Sequence, residues 1–251
     1  MCIRNLFTNE TKVIELNPAL TSTWILSRKL HIKKTILDKW NGWYKKEKEF
    51  YFFKHFPYDI NGEVRYVNEL IGEKLCSILS LDSVHFEFAK LENKYGLASI
   101  SFNKPHNRYY FMPDLYLPSD CANLKNLERI RERCKSDKEF DTLTDELSRY
   151  IAVDIYMGQQ DRNKSNIQFR KDKTGLHIAP MYDFEASFIS DKPYQITLCG
   201  IEDYRKTYPQ VNESLDILNE KGITSILEEI EDERKIIIPE DIKQHHKKFT
   251  K

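Results

Sequence analysis

No two cysteines in this chain of 251 residues form a CxxC pair: Cys2, Cys76, Cys121, Cys134 and Cys199 lie far apart, which argues against a zinc knuckle or a disulfide framework. Reduced thiols in a cytoplasm are expected. An excess charge of one sign is lacking too. Lys+Arg and Asp+Glu each number 39, so no overall field pulls the protein onto DNA, RNA or an anionic membrane. Direct nucleic-acid binding is therefore not expected, and any charged site must be local. No apolar run approaches the roughly 18 residues of a membrane span. Met1 to Glu10, with Arg4, Asn5, Asn9 and Glu10, lacks the apolar stretch of a signal peptide. No membrane partner is expected, and internal repeats and low-complexity tracts are absent as well.

What the chain does have is aromatic bulk. Its 14 Tyr and 14 Phe are too many for a disordered chain, and its length suits one compact unit or two fused lobes. Phe50 to Lys54, short and aromatic and ending on a charge, reads as a buried strand entering a polar site. After a turn at Asp59 to Gly62, the stretch Val64 to Leu79 sets Val67, Leu70, Ile71, Leu75, Ile78 and Leu79 at helical spacing, with Lys74 breaking the apolar face. Val84 to Ala89 and Leu97 to Phe102 read as strands around a turn at Glu92 to Gly96. Pro105, Pro113 and Pro118 then punctuate an aromatic segment, and helices are expected over Asn123 to Arg133, Phe140 to Met157 and Leu215 to Ile230. Ser165 to Lys171 and Leu176 to Pro180 suggest a hairpin. The expected organisation is α+β and bilobal, with a small β-rich N-lobe over 1–103, a linker over 104–118 and a mainly helical C-lobe over 119–251.

The chemistry concentrates where an apolar helix stops at Gly158 and a polar loop begins, in Asp161-Arg-Asn-Lys-Ser-Asn166. A second short strand later leads into Ala179-Pro-Met-Tyr-Asp183-Phe184. Phosphoryl transfer needs one carboxylate to accept or orient the attacking hydroxyl, and oxygen ligands to hold magnesium against the phosphates. Asp161, Asn166 and Asp183 supply that set in the order the kinase template uses. Upstream, Lys54 at the strand end and Glu69 on the helix 15 residues later fit the ion pair that positions a lysine on nucleotide phosphates. Glu63 and Glu73 compete for that role, but Glu63 is expected to precede the helix and Glu73 lies one turn beyond Glu69. The bland alternatives are ordinary turn residues at Asp161 and Asn166, a snorkelling Lys54 and a solvated Glu69.

Asp-Arg-Asn-Lys-Ser-Asn followed by Ala-Pro-Met-Tyr-Asp resembles the Asp-Arg-His-x-x-Asn and Ala-Pro-x-x-Asp pair of HipA-like serine/threonine kinases. The likeness extends more weakly over Asn68-Glu69 and over Gly96 to Phe102, and covers roughly residues 40 to 190. It implies a bilobal protein-kinase-like fold, ATP and magnesium as cofactors, transfer to a Ser or Thr hydroxyl of a protein, and an antitoxin as a partner where the kinase is the toxin of a toxin-antitoxin module. On this resemblance Asp161 orients the hydroxyl, Asn166 and Asp183 hold magnesium, Lys54 contacts phosphates and Glu69 holds Lys54. Ser101 to His106, including Phe102, would face the adenine. Family precedent also places an autophosphorylated hydroxyl within Thr21 to Ser27. The chain departs from the pattern in Asn163 for histidine, in Glu185 where glycine would follow Asp-Phe, and in having only Gly42 ahead of Lys54 instead of a glycine-rich loop. Two other readings share this core: a pseudokinase acting as a nucleotide-binding interaction module, and a small-molecule or lipid kinase.

Other polar features read blandly. Arg129, Arg131 and Arg133 alternate with Glu128 and Glu132 as a solvated helix face. His55 and His177 pair with no cysteine or serine at a nucleophile's spacing. His245-His246-Lys247-Lys248 is expected to be a solvated tail rather than a metal site.

Overall fold

Short aromatic and β-branched runs in the first hundred positions pair into one sheet. The computed structural model describes residues 3–16, 41–46, 49–56, 60–102, 108–111, 130–160, 162, 167–171, 173, 175–188 and 209–250. Within them β1 (Val13–Leu16), β2 (Gly42–Lys46), β3 (Glu49–Lys54), β4 (Phe86–Leu91) and β5 (Lys94–Ile100) stand in the order β1-β4-β5-β3-β2. β1 runs parallel to β4, and the other neighbours are antiparallel. The strand expected at Phe50 to Lys54 lies in β3. β1 and β2, which patterning did not reveal, occupy the two edges, where a strand needs only one partner.

Between β3 and β4 runs α1 (Ile60–Ile78). Val64, Val67, Leu70, Ile71 and Leu75, three or four positions apart, are all buried and face the core. The helix starts earlier than its sequence suggested. Glu63 sits inside its first turn, 1% exposed, instead of ahead of it. An acidic residue there complements the positive end of the helix dipole.

The second lobe is built on α2 (Asp137–Met157). Ser136 caps it by accepting the Glu139 N–H at 3.2 Å, and Gly158 ends it at φ 57°, a left-handed conformation that suits glycine. β6 (Arg108–Phe111), β7 (Gln168–Lys171) and β8 (Leu176–Ile178) form a second, antiparallel sheet, so the segment read as a linker contains a paired strand. Of the helix expected over Asn123 to Arg133, only 130–133 is described, and it is helical. The helix expected over Leu215 to Ile230 is two helices, α3 (Pro209–Lys221) and α4 (Ile223–Arg234), divided at Gly222 with φ 72°.

The end of the chain departs most from its sequence reading. His245 and His246 belong to α5 (Glu240–Phe249), and His246 is fully buried rather than solvated. Ile242 and His246 lie one turn apart on the inward face of that helix, which explains the burial. α4 and α5 return to the first lobe and pack along α1. Lys74, the charge that interrupts the apolar face of α1, reaches Glu229 at 2.9 Å and Glu233 at 2.6 Å on α4. Arg234 bonds Glu73 at 2.7 Å and the Phe86 carbonyl at 2.9 Å, while Ile237 donates its N–H to the Leu6 carbonyl at 2.8 Å. One apolar cluster runs from Ile3 through α1 and α2 to Ile242. Among the described residues no helix is long and apolar enough to cross a membrane.

Candidate active site

Three elements distant in sequence meet at one ammonium group. Lys54 ends β3, and its Nζ lies 2.5 Å from Glu69 Oε1 on α1, 2.6 Å from Asp183 Oδ1 and 3.3 Å from Glu185 Oε2 in the bend after β8. The paired register of β3 with β5 sets Lys54 opposite Leu97 and aims the strand end at that bend. Glu69 is fully buried, and its second oxygen accepts the Phe184 N–H at 3.0 Å. One carboxylate thus ties strand, helix and bend together.

Burial works against the Lys54 charge, but Asp183, Glu69 and Glu185 outweigh it and hold the pKa well above the usual lysine range. Burial pushes the Glu69 pKa up despite Lys54. For Asp183 burial also acts upward, but the Lys54 and Arg162 cations prevail and its carboxyl is held below the usual range. Oxygens of Glu69, Asp183 and Glu185 lie within 4.8 Å of one another, so three carboxylates surround one ammonium. Asp183 and Glu185 are 28% and 33% exposed, so the uncompensated negative charge faces the open side. Hard oxygen donors with an excess of negative charge suit magnesium.

The bend itself is built from unusual backbone. Asp183 has φ 68°, a left-handed conformation that aspartate tolerates better than most residues. Phe184 packs so closely on α1 that a Cβ at Gly72 would lie 2.2 Å from its Cγ. Glycine is therefore required there. Asn68 donates its Nδ2 hydrogens to the Glu185 and Ser187 carbonyls at 3.1 and 2.6 Å.

Asp161 and Asn166 lie outside the described residues, as do 103–106 of the expected adenine-facing segment and Thr21 to Ser27. The neighbours of position 161 are fixed to the Asp183 bend. Gln159 Nε2 donates to the Asp183 carbonyl at 2.8 Å, and the Gln160 N–H to the Ala186 carbonyl at 3.0 Å. Arg162, 2% exposed, grips Asp154 through Nε at 3.0 Å and the Tyr182 carbonyl through Nη1 at 2.7 Å, between the rings of Tyr150 and Phe184. Burial opposes the Arg162 charge but Asp154 and Tyr150 overcome it, raising its pKa further, so the guanidinium is a permanent cation. Ser101 donates its N–H to the Phe50 carbonyl at 2.8 Å, and the Phe102 ring stands 6.1 Å from that of Tyr182, next to Asp183.

The structure therefore gathers Lys54, Glu69 and Asp183 and adds residues that sequence reasoning passed over. Glu185, noted only as a replacement for glycine, is a third partner of Lys54. Asp154 and Arg162 form a buried pair whose signal was a carboxylate inside the apolar run Ile151-Ala-Val-Asp-Ile-Tyr-Met157, since such a charge needs a partner. Asn68 enters only through the weaker part of the resemblance, and His245 and His246 read as a solvated tail in the sequence. Burial, aided by His245 and opposed by the Ile242 carbonyl, pushes the His246 pKa down to about 4.

No protein-family model and no curated protein matches the sequence. Solved structures match in fold. The chain is 16% identical to the Helicobacter pylori proinflammatory kinase CtkA, with a TM-score of 0.60 over 83% of this chain and 87% of that one. It is 13% identical to HipA of Shewanella oneidensis MR-1, solved with HipB and its operator DNA, with a TM-score of 0.63 over 97% of this chain and 71% of that one. The likeness establishes a bilobal, kinase-like α+β fold.

Proposed function

We propose that this chain, built on a fold it shares with kinases, is an ATP- and magnesium-dependent phosphotransferase of the HipA-like type, passing the γ-phosphoryl group to a serine or threonine hydroxyl of a protein. The observation that carries the proposal is the convergence of Lys54 with Glu69 and Asp183, the latter 129 residues away in sequence. A merely snorkelling lysine would not be held by a fully buried carboxylate.

In this reading nucleotide binds between lobes divided at 104–118. Lys54 donates to phosphate oxygens and Glu69 keeps it there. Asp161 orients the acceptor hydroxyl and accepts its proton. Asn166 and Asp183 hold magnesium, which when bound neutralises charge on the phosphates. Ser101 and Phe102 face the adenine. An antitoxin partner belongs to the same reading, supported by the complex in which the Shewanella HipA was solved.

The test separates the two aspartates. ATP with magnesium should raise the melting temperature of the wild type, since a ligand of the folded state stabilises it. Asp161→Asn should keep that binding while transfer falls by orders of magnitude. Asp183→Asn should weaken binding only when magnesium is present. Full transfer by Asp161→Asn would refute the assignment, and nucleotide binding without transfer by the wild type would favour the pseudokinase reading. That rival draws on Glu185, whose carboxylate adds to the competition for Lys54.

A further inference from the structure

We infer that the His245-His246 pair of α5 is a latch that positions the Asp183 bend against Glu69, so that α5 sets the activity of the site. The inference rests on reading that site as a phosphotransferase centre.

The bend from Asp183 to Phe188 begins and ends in left-handed backbone, with φ 68° and 53° at those residues. Such conformations in residues other than glycine persist only where surroundings impose them. Here the surroundings are polar and come from two helices. On α1, Asn68 spends its carboxamide nitrogen on the Glu185 and Ser187 carbonyls. Its Oδ1 then accepts from His246 Nε2, 2.9 Å away, in the neutral tautomer that leaves Nδ1, 2.8 Å from the Ile242 carbonyl, without a hydrogen. On α5 itself, His245 Nε2 donates to the Phe188 carbonyl at 2.6 Å, and the His246 ring lies 5.1 Å from the Phe188 ring. Consecutive histidines thus grip the bend, one directly and one through Asn68.

Asn68 precedes Glu69, which holds the start of the same bend through the Phe184 N–H. Displacing α5 would free Asn68, and the carbonyls of residues 185, 187 and 188 would lose their side-chain donors together. Lys74 with Glu229 and Glu233, and Arg234 with Glu73, fasten α4 further along α1. None of the latch residues is among the groups assigned to nucleotide, metal or acceptor. They are positioning residues, acting through Asn68 and backbone carbonyls.

A leucine at position 246 fills similar space but leaves Asn68 Oδ1 buried without a donor, whereas glutamine keeps a donor in the place of Nε2. His246→Leu should lower kcat/KM for magnesium-ATP about tenfold, mainly through KM, and speed hydrogen exchange at the 184–188 amides while leaving β4 and β5 protected. His246→Gln should restore both towards wild type. If His246→Leu does not fold, half-buried His245→Leu against His245→Gln makes the same comparison through the Phe188 carbonyl. Kinetics and exchange both unchanged in the leucine variant, or equal losses in the leucine and glutamine variants, would overturn the latch. Faster exchange in the leucine variant of a wild type that transfers no phosphate would overturn the phosphotransferase reading and leave the latch standing.

Discussion

Replacing Gly72 with alanine should disable the site far more than it destabilises the protein. The new Cβ would lie 2.2, 2.4 and 2.5 Å from Phe184 Cγ, Cδ2 and Cδ1, whereas carbon atoms in good contact stand about 3.5 to 4.0 Å apart. Ring or helix must yield by about 1.3 Å. The ring cannot swing outward, because Phe184 is fully buried and the Arg162 guanidinium lies 5.3 Å from its centre. Overpacking costs about 1–3 kcal/mol, and the better helix propensity of alanine offsets about 1 of that, leaving a net loss of about 0–2 kcal/mol. For a chain of this size the melting temperature should fall by no more than about 8 °C. Activity should fall further. Phe184 follows Asp183 and donates its N–H to Glu69, so its displacement moves both groups, and a misplacement of about 1 Å can cost about 100-fold in rate. The assay is thermal melting beside phosphoryl transfer, with Phe184→Leu added to Gly72→Ala as the relieving second change. Wild-type transfer by Gly72→Ala would refute the reasoning, as would an activity loss matched by unfolding at the assay temperature.

Two further predictions concern buried charge. Asp154→Leu should destabilise by about 3–5 kcal/mol, because it strands the Arg162 guanidinium, and Asp154→Leu with Arg162→Met should recover much of that in urea melts; additive losses would refute the coupling. His246, with a folded pKa of about 4 below the unfolded value of about 6.5, supplies stability that is complete above pH ~6.5 and is lost as the pH falls towards 4. The wild type should lose up to about 3 kcal/mol relative to His246→Gln across that window, and parallel stability profiles would contradict it.

Lys54, Glu69 and Asp183 stand on elements that local pattern made legible. Lys54 closes an aromatic strand, Glu69 lies on a helix with a legible apolar stripe, and Asp183 follows a short strand. Their meeting depends on the order of elements, which a chain displays directly. The return of α4 and α5 to α1 left no such trace. The contacts that fix where these helices dock include polar pairs such as Lys74 with Glu233 and His246 with Asn68, and charged or polar residues on a helix look the same whether they face water or a partner. Gly222 likewise gave one residue of warning for a helix break, against periodic apolar residues on both sides of it. β1 pairs with β4, more than 70 positions away, and β2 pairs with the adjacent β3 through the charged run Lys45 to Glu49, so the short runs of these edge strands carried little signal of their own.

The bond between Asn68 and His246 spans 178 residues, and this distance has a consequence for the nascent chain. At about 5–20 residues per second of synthesis, roughly 9–36 s separate the emergence of the two side chains. During that interval the first lobe can collapse and pair its strands, because β3, α1, β4 and β5 lie within 52 positions, from 49 to 100. The carboxamide of Asn68 has no imidazole to meet until position 246 leaves the ribosome. Translation itself thus delays assembly of the complete centre, and a chain interrupted before α5 would carry Lys54, Glu69 and Asp183 without the helix that secures them.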